Sequence, residues 1–238
     1  MPRRRPKRYS NDTSIHANLR KRWRAWLPRM QNDLTHLLGK RELFWGLQDV
    51  AKENPNILKH GAFFDWMCQN YIAAAAIGIR TFTDQSCDVH SLWRMLYEML
   101  EHPGVLSRRS HVSLYRGVPV QRDFDLANLS FDNIAGKGNK AVKQSDIKKD
   151  LSELEDSSER VRKFTNKRVV HRTPQGQIRR LPKFNELDKA MDTIDRIFCK
   201  YNLILTASGM SSAFATRQYN WMEVLYEPWI LPNSKLRP

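Results

Sequence analysis

Cysteine is scarce in this chain. Cys68, Cys87 and Cys199 are the only three in 238 residues, and no two stand in a Cys-x-x-Cys spacing. An odd number cannot pair fully within one chain, so a disulfide framework and a cysteine zinc site are both disfavoured and a reducing compartment is expected. Long apolar runs are also lacking. The most apolar stretch, from Tyr71 to Ile79, is alanine-rich, is followed directly by Arg80, and falls well short of the roughly 20 residues a membrane helix needs. Acidic residues are in deficit, with Asp+Glu 25 against Lys+Arg 40, a net charge of +15. A free-standing protein this basic is attracted to polyanions, and nucleic acid is the first partner to consider. The basic opening Met-Pro-Arg-Arg-Arg-Pro-Lys-Arg has no apolar segment after it, unlike a secretory signal. A soluble, cytoplasmic protein with no membrane association is expected.

The charge is uneven. Residues 1–24 hold nine Lys and Arg against Asp12 alone, a surplus of eight that leaves +7 for the other 214 residues. With Pro2 and Pro6 in the opening, residues 1–12 read as a disordered basic arm, either a polyanion-binding tail or a solvated terminus. Residues 13–54 read as an N-terminal helical extension. Leu19, Trp23, Trp26 and Leu27 recur at helical steps up to an interruption at Pro28. A second run from Met30 to Val50 ends before Asn54-Pro55, because the residue ahead of a proline is pushed out of the α region.

A bundle occupying 55–238 is expected beyond that point. One helix should span 62–83, with Phe63, Trp66, Met67, Asn70, Tyr71 and Ala74 on one face. Another should start at Asp88 or Ser91 and close at His102-Pro103-Gly104, with a short helix near 107–116 following. Residues 117–144 lose the period and read as an irregular insert with one marginal turn. A long helix opens near Ser145 and must stop by Thr173-Pro174. A last one opens at Pro182 or Asn185, with the apolar stripe Leu187, Met191, Ile194, Phe198, Tyr201 and Leu205. The aromatic C-terminal segment around Trp221 and Trp229 should lie back on the bundle. Nothing alternates long enough to require a sheet, so the class is all-α, an up-and-down bundle of four to six helices.

Chemistry concentrates in Val161-Arg-Lys-Phe-Thr-Asn-Lys-Arg-Val-Val-His171-Arg172. An imidazole titrates near neutrality and can give or take a proton. Lys167, Arg168 and Arg172 beside it can hold a phosphate and stabilise charge developing on it, and Asn166 can orient a phosphate oxygen or the ring. These groups suffice to cleave RNA without a metal. A lone His at a helix end also serves as a capping or packing residue. Arg80 and Asp84, four apart, share a helix face and either point into the same cleft or form an ordinary ion pair. Trp23 and Trp26, set among Arg20, Arg22 and Arg24, are candidates for base stacking, as are Trp221 and Trp229; core packing is the competing reading for all four. The other histidines are scattered, no His-Glu-x-x-His pair occurs, and no metal or cofactor is expected.

Asn166-Lys-Arg-Val-Val-His171-Arg resembles the signature end of a HEPN domain, in particular the AbiU2-like branch associated with phage abortive infection. Ile79-Arg80-Thr-Phe-Thr-Asp84 with Ser91-Leu-Trp-Arg-Met-Leu96 is similar to that branch's first helix pair. Pro182-Lys-Phe-Asn-Glu-Leu-Asp-Lys-Ala-Met191, Lys200-Tyr201, Asn220-Trp221 and Pro228-Trp229-Ile230 extend the likeness in matching order over about residues 55–235. The resemblance implies a helical homodimer with two His motifs meeting across the two-fold axis. It also implies a metal-independent ribonuclease in bacterial antiviral defence or a toxin–antitoxin pair, with a cognate antitoxin or defence partner. By position, His171 matches the family's His and Asn166 its polar residue, with Arg168 as the third catalytic candidate. Lys167, Arg172, Arg162 and Arg80 are the RNA-phosphate candidates and Asp84 a support. The chain departs from the motif at Thr165, where the family carries Arg. Either a neighbour supplies the guanidinium, or this chain is a non-catalytic dimer that binds nucleic acid or a partner protein. A DNA-binding regulator rests on net charge alone.

Overall fold

A proline in mid-helix should stop it, yet α1 runs unbroken from Tyr9 to Glu53, with Pro28 inside it. This corrects the expected interruption. An interior proline costs about 3 kcal/mol, whereas burying one large apolar side chain returns about 1.5–3 kcal/mol. Trp23, Leu27, Met30 and Leu34 are all buried on the two sides of Pro28, so packing wins. The ring itself is exposed, which puts the unbonded carbonyl one turn back on the solvent side, where water can satisfy it. The computed structural model describes residues 9–58, 61–115, 121–170, 182–215, 218–230 and 233–235. Within them α1 begins at Tyr9, so residues 9–12 of the expected arm are helical in backbone; residues 1–8 lie outside the described set.

The described residues are all-helical, with eight α-helices rather than four to six and only an isolated bridge between Ser107 and Ala141. α1 is followed by α2 (Ala62–Phe82), α3 (Leu92–Glu101) and α4 (Arg108–Val112). After these come α5 (Gln121–Ala135), α6 (Gln144–Phe164), α7 (Phe184–Thr206) and α8 (Glu223–Tyr226). Ser91 caps α3 by accepting the Arg94 N–H at 3.0 Å. At α7 the Glu186 carboxylate accepts from the Lys183 N–H at 2.8 Å, one half of a capping box. The six-residue stripe expected of α7 is buried throughout.

Within the expected irregular insert 117–144, α5 occupies fifteen residues, which corrects that reading; residues 117–120 lie outside the described set. Ala127, Phe131 and Ala135 recur every four residues and are buried, a stripe too small-sided to stand out among polar neighbours. Arg108 pins this helix by donating from Nη1 to the Asn128 side chain and from Nη2 to Asp132, with its guanidinium 4.9 Å from the Phe131 ring.

α6 lies against α2, α3 and α7, and α1 lies across α2 and α7. Two buried carboxylates fix this arrangement. Asp150 on α6 accepts from Lys200 Nζ at 2.6 Å and Tyr201 Oη at 2.9 Å on α7. Glu98 on α3 accepts from Arg22 at 2.5 Å and Trp23 Nε1 at 2.8 Å on α1, and from Arg94 Nε at 3.0 Å. Gly78 on α2 lets α1 come close: a Cβ there would sit 2.7 Å from Leu37 Cδ1. The buried face of α2 is Tyr71, Ala75, Ala76, Ile79 and Phe82. Phe63 and Trp66, expected on the same face, are exposed and stack on one another.

Candidate active site

Two helix ends and one turn make the site. α2 ends at Phe82 and is closed at Thr83, whose N–H donates back to Ile79 and Arg80. The chain then turns at Asp84, which accepts the Ser86 N–H at 3.0 Å and hydroxyl at 2.7 Å, an Asx turn. Ser91 Oγ donates to the Asp84 carbonyl at 2.6 Å, tying the turn to the start of α3. On the other side α6 continues beyond Phe164 into a π-helical turn, Thr165–Val170. Such widened turns re-aim side chains and recur at functional sites.

These elements bring four of the sequence's candidates to one open cleft. Arg80 Nε donates to Asn166 Oδ1 at 2.7 Å, and Arg80 Nη1 donates to Asp84 Oδ2 at 3.1 Å. Arg162 lines the same cleft with Thr83, Gln85 and Ser86. With its amide oxygen turned toward the surrounding donors, Gln85 accepts from Arg162 Nη1 at 3.0 Å. The cleft encloses about 360 Å³, within the ~300–1,000 Å³ of small-ligand sites. Partial burial pushes the Asp84 carboxyl up, but the two Ser86 bonds and the Arg80 and Arg162 cations outweigh it and hold the group below its ordinary 3.8. Asp84 is therefore an anion at neutral pH. It orients one guanidinium and leaves the cleft cationic through Arg162.

Thr165 is fully buried. Its hydroxyl donates to the Val161 carbonyl at 2.7 Å and lies 3.2 Å from the Ala76 carbonyl on α2. Ala75 and Ala76 are fully buried at this contact, and the small side chains permit the close approach. The guanidinium beside Asn166 comes from α2, 86 residues earlier in sequence.

Lys167 is half-buried in the same turn. His171, Arg172 and the side chain of Arg168 lie outside the described residues. The stacking candidates Trp23 and Trp26 are buried and belong to the core, Trp26 lying flat on His90 with centroids 4.6 Å apart. Trp221 packs against Gly46, whereas Trp229 is 65% exposed and meets the bundle at Phe63.

Sequence reasoning missed Gln85, Ser86 and His90. Gln85 and Ser86 had a signal in the Asp84-Gln85-Ser86 turn pattern. His90 lines a second cleft that shares Arg80 and Asp84 as its wall and also includes Trp26 and Arg29; nothing in its local sequence marks that. Among the described residues no three His, Cys, Asp or Glu side chains gather closely enough to hold a metal ion, and no helix is long and apolar enough to cross a membrane. The chain matches no family model, and gives no significant match among curated proteins or solved structures.

Proposed function

We propose that this chain is a HEPN-type, metal-independent ribonuclease that acts as a homodimer in antiviral defence or a toxin–antitoxin pair. The observation that carries the reading is the Arg80–Asn166 hydrogen bond. It supplies a guanidinium beside the motif's polar residue from a different helix, in place of the arginine that Thr165 replaces. In the reaction, the His171 imidazole takes the proton of a ribose 2′-hydroxyl, whose oxygen attacks the adjacent phosphorus. The bond from phosphorus to the 5′-oxygen breaks, and that oxygen receives a proton from an imidazolium. The products are a 2′,3′-cyclic phosphate and a 5′-hydroxyl. Arg80 stabilises the charge that develops on the phosphoryl oxygens, Asn166 and Asp84 hold it in place, and Arg162, Lys167, Arg168 and Arg172 bind flanking phosphates. The defence setting rests on the resemblance alone.

The test is cleavage of RNA in the presence of a chelator, with cyclic-phosphate termini scored on the products. A His171→Ala protein that folds normally yet cuts RNA as fast as the parent removes the mechanism. The buried Thr165 favours a second reading, a dimer that binds nucleic acid or a partner protein without cutting. Salt-sensitive RNA binding with no degradation of any RNA pool would select it.

A further inference from the structure

Away from the Arg80 cleft, the N-terminal half of α1 and the start of α4 enclose an open groove that shares no lining residue with it. Thr13, His16, Ala17, Arg20 and Arg24 line it from α1, at the three- and four-residue steps that make one helical face. Arg109, exposed on α4, lines it from the other side among serine hydroxyls. No acidic side chain lines the groove among the described residues. We infer that this groove binds the phosphodiester backbone of RNA through Arg20, Arg24 and Arg109.

Two of the three cations are held without being neutralised. Arg20 Nη1 donates to the Val105 carbonyl at 2.8 Å, and Arg24 Nε donates to the Leu205 carbonyl at 2.6 Å. A neutral acceptor fixes a guanidinium in place and leaves its full charge and its remaining donors for another partner. Arg20 and Arg24 are also like charges at i and i+4, an arrangement that destabilises a helix. Consistent with this crowding, burial and then the Arg24 charge lower the Arg20 pKa. A bound anion relieves both. The groove is open rather than enclosed, so it cannot hold one small phosphate by wrapping it; affinity has to come from several phosphates of one polymer, each releasing counterions. The choice of RNA over other polyanions rests on the ribonuclease reading above.

The experiment is fluorescence anisotropy on the full chain with a labelled single-stranded 2′-O-methyl RNA, which cannot be cut, across a range of salt concentrations. Arg109→Glu is expected to weaken binding about tenfold and to reduce the slope against log salt by about one. Lys149→Glu makes the same charge change at an exposed site on α6 and is expected to cost less than about twofold if the groove is specific. Arg109→Gln, which removes charge without reversing it, should fall between the parent and Arg109→Glu. Equal losses for Arg109→Glu and Lys149→Glu, or parental binding by Arg109→Glu, overturn the inference. So does displacement of the RNA by millimolar inorganic phosphate. Binding that depends on Arg109 in a protein that cuts no RNA keeps the groove and removes the ribonuclease. Cleavage with binding indifferent to Arg109 does the reverse.

Discussion

Arg80 on α2 and Asn166 in the turn after α6 are joined by one hydrogen bond of 2.7 Å across 86 residues of sequence. The bond closes the cleft between two helix ends that the core has already brought together. Ala75, Ala76 and Ile79 pack the buried face of α2, and Leu154, Ser158 and Val161 that of α6. The site's geometry is thus a consequence of helix packing, with the polar contact added at its end.

Under the proposed mechanism, replacing Arg80 by alanine should lower RNA cleavage about 100-fold or more, the scale of losing one charge-stabilising donor. Stability should change by less than about 1 kcal/mol, because the Arg80–Asp84 pair is partly exposed and screened. Arg80→Lys should recover little, since an ammonium cannot reach Asn166 and Asp84 together through one rigid fork. Single-turnover rates together with urea melts separate the two effects. A large stability loss with activity retained would reassign Arg80 to a structural role.

Thr165→Arg would place an arginine next to Asn166, as the HEPN-type reading proposed above calls for, and should fail. The position is fully buried against α2, so a guanidinium there would be an unpaired internal charge, worth about 3 kcal/mol or more of lost stability. Chemical denaturation of this variant should show a lower midpoint. Thr165→Ser keeps the hydroxyl bond to Val161 and should lose about 1 kcal/mol or less through the missing methyl.

How far the sequence foretold this depends on the kind of signal. The stripe from Leu187 to Leu205 is wide and regular, and α7 forms as expected. The Asn54-Pro55 stop also holds, with α1 ending at Glu53. Pro28 misled because a local rule competes with burial of Trp23, Leu27 and Met30, which is a tertiary quantity. α5 was hidden because alanines make up two of the three residues in its buried stripe. At the site, the Arg80–Asp84 pair was readable from i, i+4 spacing. Its bond to Asn166 was not, because no local pattern reports which helix ends meet.

Asp150 is a buried tie between α6 and α7, and the expected cost of Asp150→Ala is about 3–5 kcal/mol, the range for breaking a buried pair by removing one partner. Lys200 and the buried Tyr201 hydroxyl both lose their acceptor. Because α6 leads directly into the turn carrying Asn166, the proposed cleavage by any folded fraction should fall as well. Thermal melts of Asp150→Ala and Asp150→Asn measure the loss. The amide retains an acceptor for Tyr201, so Asp150→Asn should melt at the higher temperature of the two.

His111 makes stability depend on pH just below neutrality. The ring is fully buried, with Nδ1 3.0 Å from the Ile204 carbonyl and Nε2 3.2 Å from Ser130 Oγ. A carbonyl can only accept, so Nδ1 carries the proton and Nε2 accepts from the serine. Burial lowers its pKa below the ordinary 6.5; the Ile204 bond works against this and the Arg108 charge adds to it. The unfolded chain therefore binds a proton, as pH falls through 6.5, before the folded chain does. That difference in protons bound makes stability decrease toward acid. The melting temperature should be level above about pH 7.5 and decline from there to pH 5.5. His111→Gln should flatten this segment at a lower overall stability. Asp84 and Glu98 act in a separate window. Burial raises both carboxyls, yet the Ser86 bonds with Arg80 and Arg162 at Asp84, and the Trp23, Arg22 and Arg94 bonds at Glu98, bring them below their ordinary 3.8 and 4.5. Their stabilisation is complete above those values and is lost as pH falls through the lowered folded ones. A melting profile that stays flat from pH 7.5 to 5.5 in the parent protein would contradict the buried, neutral assignment of His111.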